Sequence, residues 1–305
     1  MSSYQGRHAQ PTADERASER RGDRAAVPEP PPLAPLDGWQ GLDVQQAQAD
    51  KRRKRVSRVL LVISILLITA AIAIAASLFY KYFSAQQVYD SIAQEAGAPL
   101  TIGEEVEAGF TLDQLTFNWD ALHAMNPEIV AWVLVPGTRI NYPIVQGPDN
   151  EYYLTHLFDD SGSGVGAVFL DYEGAGTLDA RNNMIYGHDM RDGSMFAAVR
   201  DFMEQGYFDE HRTVFIATPT MNYELKTIAT VRCDENAPIR LFGFGTDEDF
   251  EAYKELLLSS ALIVDEAESA QALSVYQLVT CDSPDNSKRV ILVARPIATA
   301  VPKGA

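Results

Sequence analysis

From Val59 to Tyr80 the chain carries no charged residue, and this run, VLLVISILLITAAIAIAASLFY, follows directly on the basic residues Lys51 to Arg55 and Arg58. About twenty apolar residues, each rising about 1.5 Å in a helix, cross a hydrocarbon layer of roughly 30 Å. The run is therefore read as a transmembrane helix. A cleaved signal peptide is the competing reading, since AIAA resembles a cleavage site. However, the leader before the run is far too long for the basic region of a signal peptide, and the run exceeds its apolar core. With Lys81 alone immediately after the span, the positive-inside rule places the N-terminus in the cytoplasm and the rest of the chain outside a plasma membrane crossed once.

Composition differs on the two sides. Residues 1–50 are rich in Pro, Arg, Asp, Gln and Ala, include VPEPPPLAP, and show no sustained apolar period, so a disordered tail is expected. Residues 1–81 carry 12 Lys and Arg against 8 Asp and Glu, whereas 82–305 carry 13 against 34. An outer part with a net charge of −21 is not expected to bind nucleic acid.

Beyond the span, Ser84 to Gly97 reads as a short helix and Thr111 to Pro127 as another, with Pro127 marking its end. The period then changes. AWVLVPG, INYPIVQG, GAVFLDYEG, NNMIYGH, RTVFIATP, NYELKTIATVRC, VYQLVTC and RVILVARPI are short β-branched and aromatic runs between Gly, Pro and Asn. Eight such strands predict a mainly β domain, a barrel or a sandwich. Between the sixth and seventh runs, Thr246 and Asp249 form a capping-box pattern ahead of Phe250, Tyr253, Leu256 and Leu257, so a helix is inserted there.

The chain has two cysteines, and Cys281 closes the seventh strand run. If the seventh and eighth runs pair antiparallel around a loop of Asp282 to Lys288, Cys281 stands opposite Arg289 and shares its face. Lys288 points the other way, and Arg295 lies about 20 Å further along the strand. A thiolate that attacks a carbonyl needs a fixed donor for the oxyanion, which a permanently charged guanidinium provides. It also needs an acid for the departing amine. Of the four histidines beyond the span, His123, His156 and His211 fall in stretches where a packing role is the simpler account. His188 follows Gly187 at the end of the NNMIYG strand, where reactive groups gather on a rigid scaffold.

The segments NPEIVAWVLVPGTRINYPIVQGPDNEYYLTHLF, GAVFLDYEG, NNMIYGHDMRDGSMFAAV and LVTCDSPDNSKRVILVAR, in this order, closely resemble class B sortases, the membrane-anchored cysteine transpeptidases of Gram-positive bacteria. The resemblance covers roughly Val88 to Ile297. It implies an eight-stranded sortase barrel with a catalytic triad of His188, Cys281 and Arg289. Thr280 matches the Thr of the family's TC pair and is expected to line the substrate cleft together with Arg289. The implied partners are C-terminal sorting signals of secreted proteins, cleaved after Thr, and an amine acceptor on a peptidoglycan precursor or another protein. The chain then divides into a disordered cytoplasmic tail (1–55), the anchor (56–81), an extracellular linker with helices (82–125) and the catalytic barrel (126–300). Many relatives carry Asn after the catalytic His; here it is Asp189, which is expected to alter the pH optimum. No Asp-Pro-aromatic lid motif occurs in Ser84 to Pro127, which argues against the lidded pilin-polymerising class.

Two other classes compete. A cell-wall cysteine peptidase or amidase would also use Cys and His, although in papain-like enzymes the Cys comes first. A non-enzymatic surface-binding barrel would use Cys233 and Cys281 as a disulfide. No organic cofactor and no metal are expected; Asp159, Asp160, Asp171, Glu173 and Asp179 lack regular ligand spacing and read as a solvated acidic face.

Overall fold

The computed structural model describes residues 37–98, 111–162, 165–282 and 285–304. Two compact units emerge, Met1–Thr69 and Ala70–Ala305. Helix α1 (Asp37–Glu95) includes the apolar run, and Val44–Tyr80 within it is long and apolar enough to cross a membrane, with none of its most apolar stretch buried inside the protein. The helix starts at Asp37, inside the stretch expected to be disordered. Gln, Ala, Lys and Arg after Pro35 are good helix formers, and a polar composition alone does not separate an exposed helix from coil. The proline run and the rest of that tail lie outside the described residues. Ser84 to Glu95 is not a separate helix but the end of α1, since no Gly or Pro interrupts the chain after Tyr80. Gly97, at φ 63°, ends it, with Ala98 N–H bonded to Ala93 C=O and Gly97 N–H to Gln94 C=O. The helix expected from Thr111 is split into a 3-10 turn (Leu112–Gln114) and α2 (Trp119–Met125). The Asn118 side chain accepts from Ala121 N–H and so caps a new start.

All eight expected strand runs form strands. They are β1 (Ile129–Leu134), β2 (Asn141–Val145), β3 (Val168–Leu170), β4 (Asn182–Tyr186), then, after the short helix α3 (Gln205–Glu210), β5 (Thr213–Ala217) and β6 (Asn222–Asp234). The inserted helix α4 (Asp247–Leu258) follows, then a short strand β7 (Ala261–Val264), β8 (Val275–Asp282) and β9 (Asp285–Ala300). The sheet order β5-β1-β2-β3-β4-β8-β9-β6 closes on itself through β5–β6, giving an eight-stranded barrel with β7 added to the flank of β6. The pairs β2–β3 and β4–β8 are parallel and the rest antiparallel. Sequence reasoning missed β7 because ALIV continues the apolar run of α4 without a Gly or Pro between them.

Strand alternation sorts the side chains into two cores. Tyr276 and Leu278 of β8 and Val290, Leu292 and Ala294 of β9 point into the barrel. Val275 and Val279 of β8, Ile291 and Val293 of β9, and Ala229, Val231 and Cys233 of β6 point outward into a second cluster roofed by Phe250, Tyr253 and Leu257 of α4. Each fully buried Val, Leu, Ile or Phe among them contributes about 1.5–3 kcal/mol. Thr246 and Asp249 form the expected capping box of α4, while Leu256, expected on its apolar face, is exposed.

Candidate active site

The outward row that builds the second core leads to the candidate residues. On β8 it runs Val275, Gln277, Val279, Cys281; on β9 it runs Val293, Ile291, Arg289; on β6 it ends at Cys233. Arg289 is the register partner of Cys281 on one side and of Cys233 on the other. Register then jumps, so that Asp282 faces Asp285, and β9 carries extra residues that follow β6: Lys288 pairs with Asp234, and Glu235 N–H bonds Ser287 C=O. The strands thus continue closer to the turn than the seven-residue loop expected. A bulge of this kind re-aims side chains at a strand end.

His188 arrives from the other flank of β8. In the parallel pair β4–β8, Tyr186 is the partner of Val279, and Gly187 N–H bonds Val279 C=O at 3.1 Å. His188 lies two residues past Tyr186 and Cys281 two past Val279, so both follow the same end of neighbouring strands. Gly187 leaves no room for a side chain, because a Cβ there would stand 2.6 Å from the Phe196 ring. Phe196 N–H in turn bonds His188 C=O at 2.9 Å and closes the turn after the histidine. His188 Nε2 lies 2.8 Å from Leu154 C=O. A carbonyl only accepts, so Nε2 carries the hydrogen and Nδ1 is left for proton transfer.

Cys281 is half-buried and free, and so is the more deeply buried Cys233. Burial pushes the Cys233 thiol up, with Arg289 pulling the other way. The two cysteines sit on strands either side of β9, about 10 Å apart at normal strand spacing, beyond the roughly 7 Å limit for a disulfide. The Arg289 guanidinium donates to Glu235 at 3.0 Å and to Lys288 C=O at 3.0 Å, which holds it beside the strand end. Glu235 had no signal in the sequence, since it follows β6 and meets Arg289 only through the barrel register. Arg295 is engaged elsewhere, with Glu268 at 2.5 Å.

Other expected residues stand apart from this row. Thr280 lies on the inner face of β8, with its side chain buried and its hydroxyl oxygen lacking a hydrogen-bond partner among the described residues. The Asp189 carboxylate lies 3.2 Å from Arg200, and its side chain is buried. His211 stacks on Tyr207 at 4.1 Å and bonds its carbonyl, His156 stacks on Tyr152, and His123 lies exposed in α2. Asp171 is not part of a solvated acidic face: it is fully buried, held by Arg240 through two bonds of 2.7 Å and by Tyr186 and Asn150. A large cavity of about 1520 Å³ lies between Tyr89 and Asp90 of α1, the β1–β2 turn and the segment after His188; neither Cys281 nor Arg289 lines it.

The sortase domain family matches residues 133–297, more than half of the chain. The chain belongs to the sortase family. Sortase B of Listeria monocytogenes is 29% identical over 191 residues, covering 60% of this sortase and 78% of the relative. The X-ray structure of Clostridium perfringens sortase B superposes with a TM-score of 0.55 at 27% identity, over 59% of this chain and all of the other. A Staphylococcus aureus sortase B–substrate complex superposes with a TM-score of 0.61 at 21% identity, over 72% and 98%, a likeness of fold. These relatives place the chain among the class B sortases.

Proposed function

We propose that this sortase is a transpeptidase that joins secreted proteins to an amine through a thioester on Cys281. What supports the reading is that the β8–β9 register sets Cys281 opposite Arg289, while the β4–β8 register ends at Tyr186 and Val279, two residues before His188 and Cys281. His188 Nδ1 takes the thiol proton of Cys281, and the sulfur attacks the carbonyl of the Thr in a sorting signal, so that a C–S bond forms as the C=O π pair moves onto an oxyanion that Arg289 stabilises. The C–N bond then breaks, and His188 Nδ1 gives its proton to the departing amine. An incoming amine, from a peptidoglycan precursor or a protein lysine, returns a proton to Nδ1, attacks the thioester and releases the thiolate. Arg289 also holds the substrate backbone. Thr280 contributes to the cleft by seating the end of β8 against the barrel core, its hydroxyl being turned inward. On this reading α1 anchors the enzyme in the plasma membrane with the N-terminus in the cytoplasm and the barrel outside.

The test is incubation of the protein with a library of sorting-signal peptides and triglycine, read by mass spectrometry. Expected are an acyl-enzyme mass on Cys281 and a triglycine-capped product. Undiminished turnover by Cys281→Ala would overturn the assignment, and cleavage that never incorporates the amine would favour a peptidase instead.

A further inference from the structure

The end of α1, beyond the apolar run, is packed into the barrel at the place where His188 is held. Tyr89 is buried, and its hydroxyl donates to Gly166 C=O at 3.0 Å. The Tyr89 ring stands edge-on to Tyr142 at 5.3 Å, which fixes the hydroxyl's direction. Gly166 has φ +72°, a backbone conformation costly for other residues, and it is pressed against the histidine. A Cβ on Gly166 would stand 2.8 Å from His188 Cδ2, 2.8 Å from Leu154 O and 2.7 Å from Tyr153 O. Leu154 C=O is the acceptor that fixes the Nε2–H tautomer of His188. The Ala167 N–H closes the other side by bonding Tyr153 C=O at 2.9 Å.

From this chain of contacts we infer that Tyr89 is a positioning residue for His188: its hydroxyl pins Gly166 flat against the imidazole and the Leu154 carbonyl, so the anchor helix completes the catalytic site. The inference rests on His188 being the acid and base of the proposed reaction. Nothing in the local sequence links the two residues, which are 99 positions apart.

The experiment uses the full chain in detergent micelles, with a peptide that the wild type cleaves and triglycine as the amine. Tyr89→Phe keeps the ring and removes only the hydroxyl. Its kcat is expected to fall about 3- to 10-fold, the range set by one net hydrogen bond, with KM unchanged. Nitrogen NMR of the His188 ring at about pH 9, above the usual imidazole pKa of about 6.5, is expected to show the Nε2–H tautomer in the wild type and a mixture in Tyr89→Phe. Gly166→Ala is expected to lose more of kcat; if it does not fold, Tyr89→Phe decides alone. A Tyr89→Phe enzyme with unchanged kcat and an unchanged His188 spectrum overturns the inference, even if its melting temperature falls. Full activity in His188→Ala would overturn the catalytic reading instead, and the ring spectrum would then still decide whether Tyr89 positions the histidine.

Discussion

At the scale of single residues, the two cysteines are chemically unequal although both neighbour the same arginine. Cys233 is buried under the β6–β7 connection, and that burial raises its thiol above the ordinary range, so near neutral pH it remains protonated and slow to react. Iodoacetamide near pH 7 is expected to modify Cys281 and spare Cys233, and peptide mapping checks this; equal labelling would contradict it. Asp189 is the other instructive residue. Its position after His188 invited an electrostatic role, but the carboxylate faces Arg200, which offsets its charge. The pH–rate profile of Asp189→Asn is expected to overlay the wild type within about half a unit, with the loss appearing as a lower melting temperature. Sequence adjacency put Asp189 beside the histidine but carried no sign of its ion pair with Arg200, eleven positions on. By contrast, Cys281 opposite Arg289 was legible, because one hairpin and a two-residue side-chain period fix it.

At the scale of elements, the connection from β6 to β7 follows Glu235, the partner of Arg289, and a second ion pair also ties it to the barrel. Arg240 reaches across to Asp171, with Tyr172 and Phe242 against its guanidinium. Burial pushes the Asp171 carboxyl up, but Arg240, the Glu173 N–H, Tyr186 and Asn150 outweigh it and hold the group below the usual carboxylate range. A depressed carboxylate contributes stability above its unfolded pKa of about 3.9 and loses it as pH falls through the folded value. Arg240→Ala leaves a buried charge unpaired and is expected to cost about 3 kcal/mol at neutral pH. The gap to wild type should narrow below about pH 4, measured by urea unfolding across pH. The eight barrel strands and α4 were readable from periodicity and the Thr246 cap. Neither Arg240–Asp171 nor Tyr89–Gly166 was, since each pair meets only once the barrel closes, and a pattern of short-range spacing carries no trace of it.

At the scale of the whole molecule, the basic cluster before Val59 and the acidic outer part make orientation testable. In intact protoplasts a membrane-impermeant maleimide is expected to label Cys281 without permeabilisation; labelling only after lysis would reverse the proposed topology. The closed barrel has a further consequence. Its final strand, β9, lies between β8 and β6 and brings in Arg289, while His188 comes from β4, some ninety residues before the thiol. Contacts this distant along the chain fold late and slowly. A nascent chain would therefore keep His188, Cys281 and Arg289 apart until its last strand docks. On the proposed reading, self-acylation and stray proteolysis would be withheld until that docking by the order of the strands alone.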